Sequence, residues 1–138
     1  MRYYIVTDLY DYVQVIKHTG TKMDYIELNL DDYDLSEDRI HAYKVGKNEL
    51  IFDEEKYQQI LQEKQSVADE KEISELKKRL NETDYIMAEA FEEVLTLSNP
   101  LTFVSDFIKI LVKYSTQYKD TLADRKQWRN RIKELEGE

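Results

Sequence analysis

The chain has no cysteine, one proline, three glycines, two histidines and one tryptophan in 138 residues. The missing cysteine excludes disulfide scaffolds, thiolate metal sites and thiol nucleophiles. Gly20, Gly46 and Gly137 stand alone, so neither a phosphate-cradling loop nor a dinucleotide fingerprint can be assembled. Two histidines, His18 and His41, cannot furnish a multi-imidazole metal site within one chain, and both read as ordinary strand or turn residues. No apolar run approaches the roughly 20 residues needed to cross a bilayer, so membrane insertion is not expected. The opening MRYYIVTDLYDY turns acidic too early for a leader peptide, which points to an intracellular setting.

What is present is charge. Acidic and basic residues make up 36% of the chain, against roughly 25% in an average globular protein. The net charge of −9 is unevenly spread: residues 1–52 carry −4, residues 53–99 carry −7 and residues 100–138 carry +2. Acidic middle and basic tail attract one another, within a chain or between copies, although an exposed pair contributes only about 0–1 kcal/mol.

Residues 1–52 read as strands. Arg2–Thr7 and Tyr12–Ile16 are rich in aromatic and β-branched side chains, joined through Leu9-Tyr10-Asp11. His18–Lys22 has turn character, and Tyr25, Ile26, Leu28 and Leu30 begin a third extended run. The acidic stretch Asp31–Asp38 suits a loop or a single helical turn. Ala42–Val45 and Glu49–Phe52 flank Gly46-Lys47-Asn48, a hairpin signature.

From Asp53 the period changes. Asp53-Glu54-Glu55 sets carboxylates at a helix start, where the macrodipole favours them. Ile73, Leu76, Leu80, Thr83, Met87, Ala90, Val94 and Leu97 then alternate spacings of three and four, the a and d positions of a heptad. So narrow a seam suits a coiled coil. Ser98-Asn99-Pro100 breaks the helix, with Asn99 as N-cap and Pro100 as first residue of the next one. That second helix is broadly apolar at Phe103, Val104, Phe107, Ile108, Ile110, Leu111 and Tyr114. It thins to Leu122, Trp128, Ile132 and Leu135. The expectation is an α+β chain: a small N-terminal antiparallel β-sheet over 1–52, then helices over 53–138 forming a hairpin or coiled coil, broken at Ser98–Pro100.

Chemistry is sparse. An EF-hand loop begun at Asp32 finds acceptable ligands at Asp34 and Ser36, but meets Glu37 where glycine is required and Tyr43 where glutamate is required. Glu89, Glu92 and Glu93 lack the Glu-x-x-His pairing of bundle di-metal sites and read as a solvated acidic face. Arg125, Lys126, Arg129, Arg131 and Lys133 gather around Trp128, yet Asp124, Glu134 and Glu136 interrupt them and the net charge opposes phosphate binding. No nucleic-acid partner, metal, cofactor or catalytic residue is expected; the chain reads as non-enzymatic.

Three stretches resemble a known family. Ala42–Val45 with Glu49–Tyr57, a short hairpin running into FDEEKY, resembles a passage of small tail proteins of phages that infect Gram-positive bacteria. Glu75–Tyr85 is similar to an L…L…TDY segment of those proteins, and Ala123–Glu136 to their closing R…WR..I..LE helix. Residues 1–41 carry no such motif, and 96–120 is more apolar than the family pattern. The resemblance implies a virion structural protein of the tail tip or baseplate, assembled in the host cytoplasm. It further implies self-association, commonly a trimer about the tail axis, and contact with other tail proteins. Ile73, Leu76, Leu80, Met87, Val94 and Leu97 are then the oligomer seam, with Phe103, Phe107, Ile110, Leu111, Tyr114 and Trp128 packing the helices. Two alternatives are an acidic phage-encoded inhibitor or adaptor that binds a host protein such as a DNA-binding nuclease, and a tail-assembly chaperone.

Overall fold

The computed structural model describes residues 2–17 and 26–138. The chain is α+β, with small antiparallel sheets followed by long helices. It forms two compact units, Met1–Val67 and Ala68–Glu138.

In the first unit, β1 (Arg2–Thr7), β2 (Val13–Lys17) and β3 (Ile26–Glu27) form a sheet in the order β2-β1-β3. The β1–β2 register shifts between Val6 and Thr7, a bulge beside the connecting turn. Asp8 shapes that turn: its Oδ1 accepts the backbone N–H groups of Tyr10 (2.8 Å) and Tyr12 (3.1 Å). Asp11 then takes φ 66°, a left-handed conformation that aspartate tolerates better than most residues. The third extended run is short, because Leu30–Asp32 turns into a 3₁₀ helix. The expected turn at His18–Lys22, with His18 itself, lies outside the described residues.

The hairpin of β4 (Tyr43–Val45) and β5 (Leu50–Phe52) forms where the sequence places it, pairing Tyr43 with Phe52 and Val45 with Leu50. Val13, Leu28, Tyr43 and Leu50 are buried at the centre, ringed by Ile5, Ile16, Tyr33, Ile40 and Phe52. Edge-on aromatic contacts run from Tyr33 to Tyr43 (5.7 Å) and on to Phe52 (5.1 Å). Phe52 in turn meets Tyr57 at 5.6 Å, in the first turns of α1 (Glu54–Glu82). Lys64 reaches Asp38 at 2.8 Å from further along the same helix. These contacts explain why the compact units divide at Val67 and Ala68 rather than at Phe52 and Asp53. Asp53 caps α1 through Oδ1, which accepts the Lys56 backbone N–H at 3.0 Å, while Oδ2 accepts the Tyr12 hydroxyl at 2.7 Å.

The second unit is a helical hairpin. The later part of α1 leads into α2 (Tyr85–Leu95), and the chain returns as α3 (Phe103–Gln117) and α4 (Lys119–Glu136). Cross-links fix an antiparallel register. Glu93 meets Lys113, Asp84 meets Arg125 and Glu72 meets Arg131, so positions retreat along one arm as they advance along the other. The turn lies near Ser98–Pro100 as expected, but α3 begins three residues later than a Pro100 start requires. Asn99 Oδ1 accepts the Leu101 N–H at 3.0 Å, which closes a tight turn before the helix begins at Phe103.

The heptad helix is not continuous either. At Thr83 and Asp84 the backbone hydrogen bonds tighten to the i−3 pattern, Thr83 N–H to Leu80 O at 3.1 Å and Asp84 N–H to Asn81 O at 3.2 Å. The Thr83 hydroxyl donates back to the carbonyls of Arg79 and Leu80, a local competitor that bends helices. Arg125, only 3% exposed, clamps this turn. Its Nη1 donates to Leu80 O at 2.7 Å and to the Thr83 hydroxyl, and its Nη2 to Asp84 Oδ1 at 2.6 Å.

Candidate functional site

The two flanks of the α2–α3 hairpin differ completely in chemistry. Between the helices Ile86, Ile110 and Tyr114 are buried, with Ala90, Val94 and Leu97 packed against them. One flank is ionic. Glu93 Oε1 accepts Lys113 Nζ at 2.6 Å and the Tyr114 hydroxyl at 2.7 Å, in a cleft also lined by Glu89, Glu92, Gln117 and Tyr118. The lysine and tyrosine donors hold the Glu93 carboxyl below its usual range. The same carboxylate pushes the Tyr114 phenol up to about 12.

The opposite flank carries no charge. A groove there is lined by Met87, Ala88, Phe91 and Val94 from α2 and by Phe107, Ile110 and Leu111 from α3. Met87 is 51% exposed and Phe91 63%, and on α3 Val104 is 69% and Ile108 53% exposed. Leu95, Phe103, Leu111 and Val112 are exposed as well, and the Phe103 ring stacks on Phe107 with centroids 6.2 Å apart. The local sequence produces this segregation. On α2, Met87, Phe91, Val94 and Leu95 recur at helical spacing a quarter-turn from the buried Ile86–Ala90 line. On α3, Val104, Phe107, Ile108 and Leu111 do the same beside Ile110 and Tyr114. Burying the inner line alone leaves the second stripe in water.

This arrangement alters the reading of the heptad seam. Leu76 is buried within the single chain, while Ile73, Leu80, Val94 and Leu97 are half-buried. Met87 is the one seam residue left largely exposed. The strip therefore turns toward the chain's own returning arm, because the hairpin brings a complementary apolar line back alongside it. Among the expected packing residues, Ile110 and Tyr114 are buried and Phe107 and Trp128 half-buried. Phe103 and Leu111 project outward. The sequence reading missed Phe91 and Leu95 as surface residues; a helical wheel started one residue after Ile86 finds them.

In comparisons with known proteins, no family model matches the chain, and no curated protein or solved structure is significantly similar to it. No helix among the described residues is long and apolar enough to cross a membrane. Among the same residues no group of three or more histidines and carboxylates is arranged to hold a metal ion.

The basic C-terminal cluster is partly committed inside the chain. Arg125 is the buried clamp, and Arg131 grips both oxygens of Glu72 at 2.8 and 3.2 Å. His41 Nδ1 donates to the Val13 carbonyl at 3.0 Å and ties the 3₁₀ turn Ile40–Ala42 to β2. The shifted groups all move away from neutrality. The Tyr12 hydroxyl lowers the Asp53 carboxyl, Arg131 lowers Glu72, Asp38 raises Lys64, and burial raises Tyr118.

Proposed function

We propose that the chain is a non-enzymatic structural protein that self-associates through the charge-free flank of the α2–α3 hairpin. The supporting observation is that flank itself. Eight large apolar side chains of this hairpin are exposed to water, and Met87, Phe91 and Leu111 among them line one groove; contiguous apolar surface of this kind marks interaction sites. On the resemblance of residues 42–57, 75–85 and 123–136, the setting is the tail tip or baseplate of a phage, with other tail proteins as further partners.

The test uses residues that the single chain does not need. Phe91→Glu and Ile108→Glu change exposed positions, so helicity by circular dichroism is expected to be unchanged. Each carboxylate enters the docked surface and is expected to weaken association by on the order of 10- to 100-fold. Mass in solution, by light scattering or sedimentation, reads the effect. A wild-type chain that stays monomeric at high concentration would favour the alternative of an acidic inhibitor or adaptor. The tail setting is tested separately, by mass spectrometry of purified phage particles for peptides of this chain.

A further inference from the structure

Helix α4 sorts its side chains onto three faces. Arg125, Trp128 and Ile132 turn inward, Arg125 and Ile132 buried and Trp128 half-buried. Asp120, Asp124, Arg131 and Glu134 share a second face, where Arg131 is taken up by Glu72 and Glu134. Lys119, Lys126, Arg129 and Lys133 follow spacings of seven, three and four, which sets them on the third face over about 21 Å. All four are exposed. Among the described residues none of the four forms an ion pair. By contrast Lys77, Lys78, Lys109, Lys113, Arg125 and Arg131 of the same compact unit each meet a carboxylate. The basic face ends at Glu136, three residues beyond Lys133, and that carboxylate is already held by Lys77 at 2.6 Å.

We propose that this basic face of α4 docks a row of carboxylates on another protein. Nothing within the chain accounts for it. Like charges three and four residues apart on a helix repel one another. The helix dipole favours Lys133 in the last turn but opposes Lys119 in the first. Carboxylates are not scarce either, since acidic side chains number 29 against 20 basic ones, yet the fold leaves these four cations unmatched.

The form of the face selects the class of partner. It is one side chain wide and four cations long, the footprint of a single acidic helix or strand. A nucleic-acid backbone spreads its phosphates more widely and would set them against the adjoining Asp120, Asp124 and Glu134. The net charge of −9 also repels a long polyanion from a distance. A carboxylate row on an otherwise neutral protein surface meets neither obstacle, and complementary charge then fixes its register. The docking needs neither self-association nor the groove between α2 and α3.

The test uses the full chain with a fluorescein-labelled oligoglutamate, and a labelled DNA duplex of equal charge as the rival. Polarisation is read at about 0.1 M salt, where exposed charges more than about 10 Å apart are largely screened. The basic face is then felt and the distant acidic surface is not. Oligoglutamate is expected to bind and to be released at about 1 M salt. Lys126→Glu with Arg129→Glu is expected to weaken binding by at least about 10-fold. Lys71→Glu with Arg79→Glu makes the same change in net charge at exposed positions of α1, and is expected to stay within about twofold of the unmodified chain. Circular dichroism checks that both pairs keep their helicity; Lys126→Gln with Arg129→Gln, which adds no carboxylate, is expected to fall between. Equal losses in the two charge-reversed pairs would reduce the effect to overall charge and overturn the proposal, as would failure of the unmodified chain to bind oligoglutamate. Tighter binding of the duplex would overturn the carboxylate partner in favour of phosphate.

Discussion

Removing the Arg125 guanidinium tests how the bend between α1 and α2 is held. In Arg125→Ala the bonds to Leu80 O, the Thr83 hydroxyl and Asp84 are lost together. Stranding a buried charge commonly costs 3–5 kcal/mol, but here no partner is stranded. Leu80 O still accepts the Thr83 N–H at 3.1 Å and the Thr83 hydroxyl at 3.0 Å. Asp84 has a side chain 60% exposed and is rehydrated. What remains is the loss of charge-assisted hydrogen bonds and of the packed stem, together about 2–3 kcal/mol. Arg125→Met keeps most of the stem and is expected to cost about 1–2 kcal/mol. Asp84→Asn keeps an oxygen acceptor but takes the counter-charge from the buried Arg125 guanidinium, and is expected to cost about 1–2 kcal/mol, less than Arg125→Ala. Urea unfolding reads the series as a falling midpoint at constant slope. Two results would refute the reasoning: an Arg125→Ala midpoint within error of wild type, or an Asp84→Asn loss as large as that of Arg125→Ala. The second would mean that the ion pair, not the grip on the helix end, carries the energy.

Three further expectations follow from neighbouring parts of the fold. Ile86 is buried and Met87 beside it is exposed, so Ile86→Ala is expected to lower stability by about 2–4 kcal/mol. Met87→Ala is expected to change stability by less than about 0.5 kcal/mol while weakening association, a contrast read by unfolding and by mass in solution. Tyr114, raised to about 12, favours the folded state fully below its ordinary value of 10.0 and loses that contribution as pH rises toward 12. Alkaline unfolding followed at the tyrosinate absorbance is therefore expected to be less steep in Tyr114→Phe. Asp53 is lowered, so its contribution is complete above the ordinary carboxylate range and is lost as pH falls through that range and below. Acid unfolding by circular dichroism is expected to be shallower in Asp53→Asn, with some of the same change in Tyr12→Phe.

Local features were legible in the sequence where the signal is local. The hairpin around Gly46-Lys47-Asn48, the carboxylate start of α1 at Asp53 and the reversal near Pro100 each rest on a few adjacent residues with definite backbone preferences. The heptad at 73–97 identified an apolar line correctly but not what covers it. Periodicity reports which face avoids water, and a returning arm or a second chain satisfies it equally. The bend at Thr83 was hidden because Asp84 keeps helical dihedrals, φ −64° and ψ −24°, and no proline or glycine marks it. Arg125 was read as one cation of a surface cluster. Its true position was available in the spacing, since it fills the gap between Leu122 and Trp128 in the line that Ile132 and Leu135 continue. The site was half visible: Val104, Ile108 and Leu111 stood out in a wide apolar helix, whereas Phe91 and Leu95 were masked by the glutamates between them.

Because one flank of the hairpin is ionic and the other oily, its two jobs answer to different solvent variables. Added chloride weakens the Glu93–Lys113 link, which is only partly shielded from solvent. The same salt leaves a greasy contact almost untouched, while sulfate strengthens it and chilling loosens it. Ionic strength thus reaches the ionic flank alone, whereas temperature acts alike on the oily flank and on the apolar line buried between the helices.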